Sequence, residues 1–187
     1  MSKIAALLIG FVSLTSVGLA QETKQQPESY TAVAMGTGGA VGGKSMPFDF
    51  RITRYTTDGE LDELAALLKS KGQDALRSAL EKLSAGRLNP VGRVGNDIAV
   101  ARKRQVGSDT IITIVTARTM PFVELYNNGR STNYPFGFLQ VKLNENGQGT
   151  GQIMAAAKIR FDKKSGKIEI ESFGNQYIKA ANVRPNK

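Results

Sequence analysis

Residues 98–119 read IAVARKRQVGSDTIITIVTART, and this stretch decides the fold. Apolar and β-branched residues dominate both of its halves, and Gly107-Ser108-Asp109 between them is typical of a hairpin turn. The stretch therefore predicts two antiparallel strands, Ile98 to Val106 and Thr110 to Thr119. We expect the core of the protein to be a sheet built from hairpins of this kind.

Further strand patterns flank this hairpin on both sides. Each is a short run of apolar, β-branched or aromatic residues between turn signals, and no strand–helix–strand alternation links them. About eight antiparallel strands are therefore expected. Beyond the hairpin, they are Tyr30 to Met35, Phe48 to Tyr55, Phe136 to Leu143, Gly149 to Asp162, Lys167 to Phe173 and Tyr177 to Val183.

A helical segment is predicted between the second and third of these eight strands. Residues 57–60 read TDGE, a capping box in which the Thr57 hydroxyl and the Glu60 carboxylate pair with free backbone N–H groups. Leucines at one-face spacing follow as far as Gly72, which is typical of a helix end. A second helix, about Asp74 to Ser84, completes a two-helix hairpin. We therefore expect an α+β fold, an antiparallel β-barrel or strongly curved sheet with this hairpin packed on it.

The residue types that are missing exclude most familiar enzyme chemistries. The chain of 187 residues contains no Cys and no His. This excludes His-based acid–base pairs, Ser–His and Cys–His nucleophiles, the usual zinc sites and disulfides. We expect no cofactor and no metal. The 25 Lys and Arg residues exceed the 16 Asp and Glu residues and give a net charge of +9.

The N-terminal sequence predicts export. Lys3 precedes an apolar run from Ile4 to Val12, and Gly18-Leu19-Ala20 places small residues at the positions that a signal peptidase reads. A transmembrane anchor over Ile4 to Ala20 is the alternative, although these residues are at the short limit for spanning and include polar ones. With the signal removed, we expect no transmembrane segment and a bacterial periplasmic or extracellular location. The expected organisation is a cleaved signal peptide at 1–20, a flexible leader at 21–29 and a single β-rich domain at 30–187.

One segment matches the P-loop pattern of nucleotide-binding proteins. Residues 38–45 read GGAVGGKS, and the pattern needs a helix that begins at the lysine and faces the phosphates. The residues that follow Ser45 alternate with period two, which predicts a strand instead. We therefore interpret 38–45 as a glycine loop between two strands and expect no nucleotide binding there.

Two groups of charged residues have both a functional and a structural interpretation. The acidic residues between Asp58 and Glu63 could supply paired carboxylates for hydrolysis, but their place in a first helical turn explains them through the helix dipole. The run Arg102-Lys103-Arg104 and the basic C-terminal third could bind nucleic acid, anionic lipid headgroups or acidic polysaccharide. Because no aromatic residues are interleaved with the basic run, a solvated basic surface is the favoured interpretation.

The stretch most typical of a binding site is residues 119–138, TMPFVELYNNGRSTNYPFGF. Aromatic residues alternate there with amide, carboxylate and guanidinium groups, as in a loop at the mouth of a barrel that binds a small ligand. The alternative is that Phe122, Phe136 and Phe138 fill the core while the polar residues only satisfy the loop. The candidate ligand-binding residues are Glu124, Tyr126, Asn127, Asn128, Arg130 and Tyr134.

The same loop and the C-terminal part carry a resemblance. Residues 122–127, 130–136, 147–151 and 182–184 resemble segments of an uncharacterised family of exported bacterial proteins. The resemblance extends over most of the mature chain, including the helix start at 57–61. No activity, ligand or site is assigned in that family, so the resemblance implies export and a single domain and nothing further.

Two functions follow from these observations. The first is an exported, non-enzymatic domain that binds a small ligand or an anionic envelope component through the 119–138 loop. The alternative is a histidine-independent hydrolase that uses carboxylates or a Ser–Lys pair. The two differ in whether such catalytic groups converge within about 3 Å in the folded chain.

Overall fold

The structure, a computed structural model, describes residues 26–36, 43–122, 132–175 and 177–186. Within those residues the chain forms ten β-strands and one α-helix. In chain order the elements are β1 (Glu28–Gly36), β2 (Ser45–Ile52), α1 (Asp58–Leu80), β3 (Gly86–Pro90), β4 (Asn96–Ile98), β5 (Val100–Val106), β6 (Asp109–Thr116), β7 (Phe136–Leu143), β8 (Gly149–Asp162), β9 (Lys167–Ser172) and β10 (Ile178–Pro185). The predicted signal peptide and most of the predicted leader lie outside the described residues.

The strands form one antiparallel sheet that curls into a nearly closed barrel. The hydrogen-bonded order is β4-β3-β2-β1-β10-β8-β7-β6-β5, and β9 pairs with the C-terminal half of β8. β4 and β5 are two parts of one strand that bends at Ala99, because β4 pairs with β3 while β5 pairs with β6. The Ala99 amide donates to the Val115 carbonyl across 2.9 Å. This bent strand thus joins the two edges of the sheet, and the predicted α+β barrel is confirmed.

Inward-facing side chains fill the interior of the barrel. β2 supplies Phe48, Phe50 and Ile52 at alternate positions, and all three are buried, as the period-two pattern of this strand predicts. The Tyr30 ring stacks on Phe50 with ring centroids 5.0 Å apart. The interior is therefore a packed core, as in other small barrels. Its other large members include Leu88, Ile98, Ile112, Ile114, Leu139, Val141 and Ile153.

The helix α1 packs on the outer face of the barrel and builds a second core there. Leu68, Leu76 and Leu80 are its buried residues, and they share this core with Phe136 of β7 and Ile159 of β8. The helix therefore covers apolar residues that point out of the barrel, and none of its residues belongs to the core inside the barrel. The expectation that the leucine face lies on the sheet is confirmed.

The helix begins as predicted but does not divide into two. The Glu60 amide donates to the Thr57 hydroxyl (3.3 Å) and the Thr57 amide donates to the Glu60 carboxylate (2.8 Å), which is the predicted capping box. The predicted two-helix hairpin is wrong: the structure has one helix, kinked at Gly72. Gly72 has a φ of 81°, which a glycine adopts without a Cβ clash. Because helical structure resumes directly after it, no loop separates two helices.

The prediction of about eight strands is also corrected, since residues 85–97, for which the sequence analysis predicts no element, contain β3 and most of β4. A Cβ on Gly86 would lie 2.0 Å from the Arg51 carbonyl oxygen of β2. A Cβ on Gly95 would lie 2.3 Å from the Leu88 carbonyl oxygen. Glycine is required at both positions because a neighbouring backbone approaches closely, and these two glycines therefore do not indicate a loop.

A group of four polar side chains, the Glu28 cluster, ties β1 to the segment before α1 and to β5. The Glu28 carboxylate accepts hydrogen bonds from the Tyr30 and Tyr55 hydroxyls and from Lys103 Nζ, each at 2.8 Å. Burial raises the pKa of Glu28, but the bonds from Lys103 and the two tyrosines outweigh it and hold this pKa below its ordinary value. Burial and the neighbouring carboxylate raise the pKa of both phenols.

Candidate binding site

The connections between strands fall at two ends of the barrel, because neighbouring strands are antiparallel. The β1–β2, β3–β4 and β6–β7 connections share one end, which we call the loop end. The opposite end carries the β5–β6 and β7–β8 turns, residues 107–108 and 144–148. The described strand ends that flank these connections, Gly36 and Ser45 in one case and Thr116 and Phe136 in the other, therefore lie at the same end of the barrel.

The first residues after β6 pack against β8 and β2 at the loop end. The Met120 amide donates to the Ala155 carbonyl across 2.7 Å, and the Phe122 ring meets Phe48 edge-to-face with centroids 4.9 Å apart. Met120 and Phe122 are both buried. A ligand at the loop end would therefore lie against these residues and their neighbours, outside the packed interior.

A groove of about 730 Å³ lies at the loop end, and we call it the arginine groove. Its walls are the C-terminal end of α1, the β3–β4 hairpin and residues 117–121. Arg87, Arg93 and Arg118 belong to its lining, and all three residues are exposed. Residues 119–121 are the described start of the stretch that the sequence analysis interprets as a binding loop. That stretch therefore begins in the wall of the groove.

Cross-strand polar contacts hold Arg87 in place. Its Nη1 donates to the Asp97 carboxylate at 2.9 Å, and its Nε donates to Asn89 Oδ1 at 3.0 Å. Arg87 and Asp97 are register partners on β3 and β4, so the ladder itself places this carboxylate beside the guanidinium. A guanidinium held by two neighbours loses less conformational freedom when it binds a further anion.

Arg118 is positioned through its backbone. The Thr116 hydroxyl donates to the Arg118 carbonyl oxygen at 2.6 Å. The Asn96 amide side chain donates to the next carbonyl oxygen, that of Thr119, at 3.0 Å. The chain at residues 118–119 is thereby fixed to the end of β6 and to β4, while the Arg118 side chain is exposed.

The charge balance of the groove favours an anionic ligand. The two acidic residues in its lining are Glu81 and Asp97. Each is already paired with an arginine, Glu81 with Arg77 at 3.2 Å and Asp97 with Arg87 at 2.9 Å. Guanidinium groups bind carboxylate, phosphate and sulfate oxygens through paired N–H donors. The arrangement can therefore hold an anion between the hairpin and the 117–121 segment.

Of the six predicted ligand-binding residues, the structure describes one. Tyr134 donates from its hydroxyl to Glu171 Oε1 at 2.5 Å, and its ring meets Phe173 edge-to-face at 5.2 Å. The hydrogen bond to this carboxylate raises the pKa of the Tyr134 phenol. Ligand binding by Tyr134 stays a prediction. The other five lie outside the described residues: Glu124, Tyr126, Asn127, Asn128 and Arg130.

The aromatic residues at the two ends of that stretch behave as the alternative interpretation expects. Phe122 and Phe136 are fully buried, Phe122 in the barrel interior and Phe136 in the second core. Phe138 is partly buried and packs against the second core. These rings therefore belong to the two cores, while ligand binding by the polar residues of the stretch stays a prediction.

The P-loop-like segment and the acidic group at the helix start have structural explanations. Ser45 begins β2, so a strand and not a helix follows Lys44, while residues 37–42 lie outside the described part of the chain. Asp58 is ion-paired with Arg102, and Glu60 is bonded in the cap and to Arg54. Among the described residues, no group of three or more metal-ligating side chains comes together. Within the same residues, no helix is both long and apolar enough to cross a bilayer.

The sequence analysis did not single out Arg87, Arg93 or Arg118. Arg87 and Arg93 lie in residues 85–97, for which no element is predicted, and Arg118 lies at the end of the predicted strand Thr110 to Thr119. Their spacing in the sequence gives no sign of a common site, because the barrel and not the local pattern brings them together. A recognisable signal exists at Asn96, since an amide after a glycine-rich turn often bonds a neighbouring backbone.

Family models, curated proteins and solved structures were compared with the chain, and none of them matches it. The fold and the site define an α+β barrel with a basic groove at its loop end.

Proposed function

We propose that the protein is an exported, non-enzymatic binding domain that takes an anionic ligand or envelope component in the arginine groove at its loop end. The observation that carries this proposal is the convergence of Arg87, Arg93 and Arg118 around one groove. Residues 119–138 contribute through their start, which lines the groove, and through the polar residues that follow. The proposal thus keeps the predicted binding loop and adds the arginine groove beside its first residues.

Export is supported by the N-terminal sequence. Lys3, the apolar run and Gly18-Leu19-Ala20 have the order of a cleaved signal peptide. The mature chain would then meet envelope components such as phosphate-bearing or carboxylate-bearing polymers and lipids, which are anionic. The resemblance to exported bacterial proteins points in the same direction.

Binding explains the charged residues better than hydrolysis does. A hydrolase would need a carboxylate or a serine that is available to attack or to accept a proton. Asp58, Glu60 and Asp97 are each ion-paired with an arginine, so each of these carboxylates already has a structural partner. An arginine-lined groove binds anions without any further group.

Calorimetry with a defined polyanion tests the proposal. Inorganic tripolyphosphate is titrated into the wild type and into Arg118→Gln, which removes one charge from the groove and leaves the backbone contacts of residue 118 in place. Arg104→Gln is the matched control, because Arg104 is an exposed arginine of β5 outside the groove. Both variants have the same net charge.

We expect Arg118→Gln to weaken tripolyphosphate binding by about tenfold or more, because a charge-assisted hydrogen bond contributes about 1.5–3 kcal/mol. Arg104→Gln should bind almost as the wild type does. Equal weakening in both variants would mean that the anion binds to the basic surface in general, and would contradict the proposed function.

A further inference from the structure

The tip of the β3–β4 hairpin exposes two valines beside the arginine groove. Val91 is 63% exposed and Val94 is 84% exposed, the two highest values among the large exposed apolar residues of the described chain. Val94 itself lines the groove, and Arg93 lies between the two valines in sequence. Single exposed apolar residues are common on soluble proteins, but here two of them share one tip with a cluster of arginines.

The exposure of the valines is built into the hairpin. The Arg93 amide donates to the Pro90 carbonyl at 3.2 Å, and Gly92 between them has a φ of 73°, which are features of a β-turn with glycine at its third position. The Val91 amide donates to the Pro47 carbonyl of β2 at 2.9 Å. The tip is therefore a hydrogen-bonded turn attached to the barrel, and it presents Val91 at its corner.

We propose that this tip docks the barrel onto the surface of an anionic lipid bilayer. Val91 and Val94 would enter the interface between headgroups and acyl chains, and the arginines of the groove would contact the headgroup phosphates. The proposal rests on the proposed function, since it names the anionic partner of the same groove. Interfacial binding of this kind combines buried apolar area with electrostatic attraction to anionic lipids.

Charge complementarity and the shape of the tip favour a bilayer over a soluble anion. A soluble polyanion would use the arginines and gain nothing from the valines. A bilayer surface offers phosphates at the depth of the guanidinium groups and apolar chains just below them. Only the second kind of partner uses both the valines and the arginines.

Vesicle co-sedimentation tests the proposal with the full chain expressed from Met1. Mass spectrometry first confirms that all variants have the same N-terminus. The vesicles are phosphatidylglycerol mixed with phosphatidylcholine, and pure phosphatidylcholine serves as the uncharged comparison. The test variant is Val91→Ser/Val94→Ser. The matched control is Val106→Ser, because Val106 is a 57% exposed valine at the β5–β6 turn of the opposite end.

We expect the wild type and Val106→Ser to sediment with phosphatidylglycerol vesicles at low ionic strength. The double variant should have a partition coefficient lower by about tenfold, as follows from partial burial of two valine side chains. Its melting temperature should equal that of the wild type. Equal partitioning of the double variant and the wild type, equal loss in Val106→Ser, or a lower melting temperature of the double variant would each overturn the proposal.

Tripolyphosphate binding by the double variant separates this proposal from the proposed function. If the double variant binds tripolyphosphate as the wild type does while the wild type fails to bind the vesicles, the groove takes soluble anions and only the bilayer proposal is wrong. If Arg118→Gln and Arg104→Gln bind tripolyphosphate equally, the proposed function fails, whatever the vesicles show.

Discussion

Replacing Glu28 by Gln should destabilise the barrel, because the Glu28 cluster links the first strand to the segment before α1 and to β5. One oxygen of Glu28 accepts from both tyrosine hydroxyls and the other accepts from Lys103 Nζ. A glutamine keeps one neutral acceptor for the tyrosines. Its NH₂ group would face the Lys103 ammonium, and because both groups are hydrogen-bond donors, no hydrogen bond forms between them.

The size of the effect follows from these contacts. A hydrogen bond to a charged group contributes about 1.5–3 kcal/mol and is about twice as strong as a neutral one, so each phenol loses about 0.5–1.5 kcal/mol. The Lys103 side chain is 40% exposed, and such a pair adds about 0–1 kcal/mol. We therefore expect a loss of about 2 kcal/mol in the free energy of unfolding. For a domain of this size, that lowers the melting temperature by about 4–8 °C.

The effect should depend on pH in a defined direction. The pKa of Glu28 is lowered on folding, so the unfolded state binds its proton more readily than the folded state does. The stabilisation is therefore fully present above the ordinary value of 4.5 and is lost as the pH falls through the lower folded-state pKa. The difference between wild type and Glu28→Gln should be constant near neutral pH and should shrink below about pH 4.5.

Urea unfolding at several pH values measures this difference. Glu145→Gln is the control, because Glu145 is an exposed residue of the β7–β8 turn at the same end of the barrel. Its stability should follow that of the wild type at every pH. A Glu28→Gln protein that is as stable as the wild type at pH 7, or a difference that grows as the pH falls, would refute the reasoning.

Three further predictions follow from the fold and the sequence. Leu80→Ala should cost about 2–5 kcal/mol of unfolding free energy because it leaves a cavity in the second core, whereas Lys82→Ala should change the melting temperature little. Calorimetric melting compares the two variants, and similar shifts would contradict the packing of α1. Gly86→Ala should destabilise the protein far more than Gly92→Ala, because a Cβ at Gly86 meets the backbone of β2 while a Cβ at Gly92 has open space. Equal urea midpoints for the two variants would contradict this prediction. Mass spectrometry of protein recovered outside the cytoplasm should give Gln21 as the first residue, and a chain that retains Met1 would refute the predicted export.

The sequence predicts the longer strands with a clear apolar alternation well. β7 and β8 begin and end where their patterns predict, Phe136–Leu143 and Gly149–Asp162, because alternation and the turns between them are local signals. β3 and β4 are short and contain few apolar residues. Gly86 also favours a loop prediction, because glycine is common in turns. Their strand structure depends on pairing with β2, which is a long-range contact and leaves no local pattern.

The candidate site is only partly predictable for a similar reason. The stretch 119–138 has a local composition that indicates recognition, and its start lies in the groove wall. Arg87 and Arg118 become neighbours only when the bent strand β4–β5 joins the two edges of the sheet. The Glu28 cluster has the same origin, because Glu28 and Lys103 are 75 residues apart in sequence.

Mapping the tripolyphosphate site by NMR tests the central claim most directly. Amide signals of the ¹⁵N-labelled protein are followed during a titration with inorganic tripolyphosphate. The account predicts that the largest shifts fall in residues 87–97 and 117–121, around the arginine groove. Shifts spread evenly over Arg102–Arg104 and the C-terminal lysines, with none concentrated at the groove, would contradict it.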